Sequence, residues 1–255
     1  MLEKARTLPC DVVVLDLEDS VAPQAKDAAR VAVCAAVKDY GGREVVVRIN
    51  PPASAPGKAD LQAVRAAAPD AILLPKVESA ADIATASGAI PIWAMIETPL
   101  GILNLAAITA ASTECLAMGT NDLLNAMRAQ PVPDRRNLWS ALSQTVIAAR
   151  AHGLSVIDGT YNEIGDAAGF AESCAQSHAF GFDGKTLIHP GQIEACNRIF
   201  APSARDIAQA RRIIEAFAQN PGKGAIALDG RMVEHLHAEE AMRLLALAAA
   251  IESRA

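Results

Sequence analysis

At 255 residues the chain fits one large α/β domain, and a domain of that size buries a sufficient core without disulfide or metal staples. Its 23 basic and 29 acidic side chains leave a formal charge of −6 with no basic run, which argues against a nucleic-acid partner. Five scattered cysteines without a paired spacing point to a reducing, cytoplasmic setting, and no apolar run is long enough to span a membrane.

In chain order, a helical pattern runs from Met1 to Leu8. The first strand spans Asp11 to Asp19, where Val12, Val13 and Val14 suit a position buried on both faces. Its end is crowded with acid: Asp16, Glu18 and Asp19. An amphipathic helix follows over Gln24–Tyr40, closed by Gly41-Gly42. Next come a strand at Glu44–Asn50, a Pro/Ser/Gly loop and a helix at Lys58–Ala68. A strand at Ala71–Lys76 and a helix at Ser79–Ser87 are followed by a strand at Ile90–Thr98 and a helix to about Ala111. The strand Cys115–Met118 ends in Gly119-Thr120-Asn121-Asp122. A long helix over Arg135–His152 leads to a strand at Leu154–Asp158, a helix at Glu163–Gln176 and a strand at Ala179–Phe182. Helices at Pro190–Phe200 and Ala204–Ala218, a glycine-containing linker from Asn220 to Gly230 and a helix at Met232–Ser253 complete the pattern.

Seven strands alternating with helices imply a parallel sheet, one strand short of a closed eight-stranded barrel. The expected organisation is a TIM-type barrel over 1–219, lacking its first strand, with a linker and C-terminal lid helix over 220–255. Polar residues collect where the strands end: Glu18, Asp19, Arg48, Asn50, Lys76, Glu97, Asp122, Asp158, Asp183 and Lys185. In parallel α/β folds that end carries the ligand site. Glu97 and Asp122, from neighbouring strands, suit a hard cation such as Mg2+, which takes one or two carboxylates and keeps water or substrate oxygens for the rest. Glu18 and Asp19 suit the ordering of such waters, and Arg48 offers a fork for a substrate carboxylate. Each of these also has a plain structural reading, Glu97 as a helix cap and Arg48 as an ion-pair residue. Zinc spacings and Walker or dinucleotide glycine loops are absent from the sequence.

The motifs Leu15-Asp16-Leu17-Glu18-Asp19-Ser20, Arg48-Ile49-Asn50, Leu74-Pro75-Lys76-Val77-Glu78, Ile96-Glu97-Thr98-Pro99-Leu100-Gly101, Gly119-Thr120-Asn121-Asp122-Leu123, Gly184-Lys185 with Ile188-His189-Pro190, and Asp229-Gly230-Arg231-Met232-Val233 occur in this order. Together they resemble the HpcH/HpaI aldolase and citrate lyase family: the citrate lyase β subunit and its stand-alone relatives, the malyl-CoA and citramalyl-CoA lyases. The resemblance implies a trimeric or hexameric TIM-type barrel. It implies Mg2+ on Glu97 and Asp122, water ordering by Glu18 and Asp19, and substrate contacts from Arg48, Lys76, Gly119 and Thr120. The implied reaction is carbon–carbon cleavage of a 3-hydroxyacyl-CoA thioester into an acyl thioester and a 2-oxo acid or glyoxylate. An acyl-carrier partner would be needed only by a citrate lyase subunit.

Two departures qualify that implication. Family members usually begin with a strand of the Leu-Phe-Val-Pro-Gly kind, which precedes the helix that here starts at Met1. The expectation is an upstream extension of the reading frame or another segment closing the barrel. The family's lid usually reads Gly-(Arg or Lys)-Met-(Ile or Val)-Asp-x-Pro, with the Asp as acid/base group in a neighbouring subunit's site. Here that position is Glu234, and no proline follows at the corresponding place. The competing readings are a thioesterase or synthase using the same site, and a degenerate acyl-CoA-binding subunit.

Overall fold

The computed structural model describes residues 2–38 and 40–254. Its elements, in order, are α1 (Leu2–Ala5), β1 (Val12–Asp16), α2 (Lys26–Ala36), β2 (Glu44–Arg48), α3 (Ala55–Ala67), β3 (Ala71–Leu74), α4 (Ala80–Ala86), β4 (Ile92–Ile96), α5 (Pro99–Leu103) and α6 (Leu105–Thr109). There follow β5 (Cys115–Met118), α7 (Thr120–Ala126), α8 (Trp139–Ala151), β6 (Ser155–Asp158), α9 (Ala167–Phe180), β7 (Gly184–Lys185), α10 (Ile193–Phe200), α11 (Ala204–Ala218), β8 (Ala225–Leu228), β9 (Arg231–Glu234) and α12 (His235–Glu252). Two compact units are present, one ending at Cys196 and one starting at Asn197, a boundary that lies ahead of the expected 219.

In the first unit the strands pair in parallel in the order β1 to β7, as the β/α alternation requires. The sheet curls. Val46, Leu73, Trp93, Met95, Cys115 and Ala117 form one buried cluster, joined by Val12, Val14 and Ile157, so strands from β1 to β6 share an inner core. The alternate residues Val47, Ile72, Leu74, Ile96 and Leu116 are fully buried on the outer face. Burial on both faces is the reason these strands read as continuous apolar runs. Each such Leu or Ile contributes about 2 kcal/mol by leaving water. Among the described residues no pairing joins β7 back to β1, so the sheet is a seven-stranded half-barrel rather than a closed ring.

Most expected elements are present with shorter ends; the helix expected over 24–40 has its regular part at Lys26–Ala36, and Asp39 lies outside the described residues. Two expectations are corrected. Ala179–Phe182 is not a strand: α9 runs on to Phe180 and stops at Gly181, whose φ of 93° supplies a left-handed cap. The strand starts at Gly184 instead. The expected linker and first turn of the last helix contain the antiparallel hairpin β8–β9. Asp229 and Gly230 both have positive φ, 53° and 73°, and Asp-Gly is the pair favoured in two-residue hairpin turns. Within this second unit Arg212 pairs with Asp229 at 2.5 Å, and the Phe217 ring stacks on His235 at 5.1 Å.

Candidate active site

Side chains alternate along a strand, so parity decides which strand-end residues face inward. Asp16 shares its face with Val12 and Val14, and Arg48 shares its face with Val46. Asp16 and Arg48 are also direct partners in the β1–β2 register. The outcome is a side-on ion pair: Arg48 Nε donates to Asp16 Oδ1 at 2.7 Å and Nη2 to Oδ2 at 2.6 Å. The third nitrogen, Nη1, stands 3.0 Å from Glu18 Oε2. The fork expected to face a substrate carboxylate is therefore held by Asp16. Burial alone would raise the Asp16 carboxyl, but Arg48, with the hydrogen bonds from Glu18 and Ser20, holds it below the usual range.

Asp16 also shapes the turn that follows it. Its carboxylate accepts the Glu18 N–H at 2.8 Å and the Ser20 N–H at 3.1 Å. Lys26 Nζ donates to the carbonyls of Leu17 and Glu18 at 2.8 and 2.6 Å, and buried Asn50 donates to Leu17 O at 2.8 Å. Asn50 is fixed in turn by Asp60, itself fully buried and paired with Arg30 at 2.7 Å. These bonds hold Glu18 inward, where it is buried, and leave Asp19 exposed. Burial raises the Glu18 carboxyl, Arg48 lowers it, and the Asp19 charge raises it again; the net direction is up.

Lys76 and Glu97 connect this corner to the next strands. The Lys76 N–H donates to Glu97 Oε1 at 2.7 Å, and its Nζ lies 3.2 Å from Glu18 Oε1 and 3.9 Å from Asp122 Oδ2. Glu97, 2% exposed, has the Asp122 carboxylate as a close neighbour. Burial pushes the Glu97 carboxyl up; the Lys76 N–H opposes this, while the charges of Asp122 and Glu18 add to it, and the result is about 8. Gly119 makes this arrangement possible, because a Cβ there would lie 2.4 Å from both Glu97 Cβ and Oε2. Thr120, buried, opens α7 and brings Asp122 into the first turn of that helix.

Two acids in contact, one of them buried and driven toward protonation, form an arrangement that a divalent cation would relieve. All the donors are oxygens, which suits a hard cation. Among the described residues no three His, Cys, Asp or Glu side chains form a ready metal cage, so water or ligand oxygens would complete the coordination.

Glu18, Arg48, Lys76, Glu97 and Asp122 thus meet in one network, with Gly119 against it. Asp158 and Lys185 do not join it. They have the opposite parity and face α9, where Asp158 Oδ2 receives Lys185 Nζ at 2.7 Å, Arg135 Nη1 at 2.7 Å and the Ser177 hydroxyl. Glu234 belongs to the second unit, where it ends β9 and its N–H donates to His237 Nδ1 at 3.0 Å. Asp16 is a site residue beyond those expected from the sequence. The signal for it was present in its inward parity with Glu18 and its place opposite Arg48.

The chain is similar to several known proteins. The family model described as HpcH/HpaI aldolase/citrate lyase matches residues 1–190. A (3S)-malyl-CoA thioesterase of Cereibacter sphaeroides is 44% identical over 98% of this chain and 90% of its own length. The citrate lyase β subunit of Haemophilus influenzae is 35% identical over 92% of this chain and 87% of its own. Among solved structures, CitE from Mycobacterium tuberculosis in complex with magnesium, acetoacetate and coenzyme A matches with a TM-score of 0.81 and 32% identity, covering 94% of this chain and 90% of that one. The chain belongs to the HpcH/HpaI aldolase/citrate lyase family.

Proposed function

We propose that this chain is a Mg2+-dependent lyase that cleaves a malyl-type 3-hydroxyacyl-CoA thioester. The observation that carries the reading is the buried Glu97 in contact with Asp122, its carboxyl driven up to about 8. Glu97 and Asp122 would hold the ion. When bound, Mg2+ supplies Lewis-acid stabilisation of the oxygen on which negative charge develops.

The chain's own residues set the rest. Arg48, immobilised by Asp16, keeps a fixed positive charge beside the ion site and offers its remaining donor positions end-on to the 2-oxo acid portion. Glu18 and Asp19 would order water at the ion site, and Lys76, Gly119 and Thr120 would border the substrate. A base removes the proton of the 3-hydroxyl group. The bond between C2 and C3 breaks, its electron pair passes to C2 and into the thioester carbonyl, and a proton delivered to C2 completes the acyl thioester. Glu234 is proposed as that acid/base group, working across subunits of a trimer or hexamer.

Hydrolysis of the thioester is a second reading, favoured by the thioesterase at 44% identity. Here water attacks the thioester carbonyl, the C–S bond breaks, and CoA leaves as the thiol. Incubation with (3S)-malyl-CoA and Mg2+ separates the two. The lyase reading predicts glyoxylate and acetyl-CoA in equal amounts; malate and free CoA as primary products would replace it with hydrolysis, and an unconsumed substrate would reject both.

A further inference from the structure

Lys76 is distinguished by its backbone as well as its side chain. Its φ is 51°, in the left-handed region that residues with a side chain occupy where surrounding contacts hold them. That conformation brings its N–H onto Glu97, while Nζ stands 3.2 Å from Glu18 Oε1 and 3.9 Å from Asp122 Oδ2. One residue therefore engages all three carboxylates at the centre of the site. Of the other nearby cations, Arg48 is committed to Asp16 and Glu18, and Lys26 to the Leu17 and Glu18 carbonyls. Asp19 adds a further negative charge that is felt at Lys76. The Lys76 side chain is 42% exposed, so its ammonium keeps access to water.

We propose that the Lys76 ammonium is a tethered counter-ion of the carboxylate cluster, holding Glu18 and Asp122 together in the metal-free chain and competing with the incoming divalent cation. The inference rests on the reading of Glu97 and Asp122 as Mg2+ ligands. Its physical basis is direct. An ammonium 3.9 Å from a ligand oxygen repels a second cation bound there, and it also removes part of the carboxylate repulsion that would otherwise favour metal binding. Lysine suits the role because its charge sits on a flexible four-carbon stem that can withdraw. The withdrawn charge is then available to an anionic ligand.

Calorimetric titration of the full chain with MgCl2 tests this, with the thermal midpoint of the metal-free protein as a second readout. Lys76→Met keeps an unbranched side chain one atom shorter, and the backbone hydrogen bond to Glu97, while removing the charge. It is expected to bind Mg2+ about tenfold more tightly, a modest effect because the ammonium is partly solvated. Its metal-free midpoint should fall below that of the wild type, and Mg2+ should raise it by more. Lys76→Arg, which keeps the charge, should stay within about twofold of wild-type affinity. Unchanged or weaker Mg2+ binding in Lys76→Met would overturn the proposal, as would equal tightening in Lys76→Arg. If Lys76→Met is not recovered folded, Lys76→Gln is held to the same two outcomes. A wild-type chain that binds no Mg2+ would remove the metal reading itself, and this inference with it; wild-type binding with an unaltered Lys76→Met removes this inference alone.

Discussion

Replacing Glu97 with glutamine should make the metal-free protein more stable while removing its response to Mg2+. In the folded chain the Glu97 carboxyl ionises near 8 rather than 4.5, and Glu97 is 2% exposed. A carboxyl with a raised folded value gives its full stabilisation below the unfolded value, and this is lost as pH rises toward the folded value. Between pH 4.5 and pH 7 the loss covers an interval of about 2.5, which at ~1.36 kcal/mol per pH unit is about 3 kcal/mol. Glutamine carries no charge to desolvate. Its carbonyl can still accept the Lys76 N–H, and its amide can donate to Asp122. Differential scanning calorimetry at pH 7 without metal should therefore place Glu97→Gln about 5–10 °C above the wild type, from the usual relation for a chain of this size. The difference should shrink at pH 5. Saturating Mg2+ should raise the wild-type midpoint and leave the variant where it was. A metal-free Glu97→Gln less stable than wild type at pH 7, or one stabilised by Mg2+ as much as wild type, would refute the reasoning.

Arg48→Lys should lower kcat/KM nearly as much as Arg48→Ala, by about tenfold or more in steady-state assays, because an ammonium cannot hold both oxygens of Asp16 and still face the ligand. Gly119→Ala should destabilise the fold by about 1–3 kcal/mol in urea titrations and abolish Mg2+ binding, since its Cβ would lie 2.4 Å from the Glu97 carboxylate. Asp158→Asn should cost about 3–5 kcal/mol by leaving Lys185 as a buried, unpaired charge and taking the carboxylate from half-buried Arg135, whereas Lys185→Met should cost less because Arg135 remains paired. Burial opposes ionisation of Asp158, but Lys185 and Arg135 hold its carboxyl below 3.8; its contribution is present above that value and is lost as pH falls below it, which acid unfolding of wild type and Asp158→Asn would measure. Lys185 itself is pushed down, first by burial and also by the neighbouring Arg135 charge. The two directions are compatible because one carboxylate serves two cations.

The sheet was legible because β-branched runs such as Val45-Val46-Val47 and turn residues punctuate the chain regularly. The residues converging on the site followed from their places at strand ends. Their orientation did not follow without parity counted from an inner core. Asp158 and Lys185 end strands as Glu97 does, yet they face α9. Nor did a single strand reveal that Arg48 would spend its fork on Asp16, since that pairing depends on the register between β1 and β2. The hairpin β8–β9 was hidden because its strands are only four residues each and sit among glycines. The Asp229-Gly230 pair between two short apolar runs was the available signal.

The central claim is that Glu97 and Asp122 form the Mg2+-dependent centre of carbon–carbon cleavage in a malyl-type CoA thioester. Its most direct test is the rate of (3S)-malyl-CoA consumption against Mg2+ concentration in wild type, Glu97→Gln and Asp122→Asn. The account predicts saturable Mg2+-dependent cleavage in the wild type, its loss on chelation, and no recovery in either variant at saturating Mg2+. Turnover that survives chelation, or that persists in both variants, would contradict it.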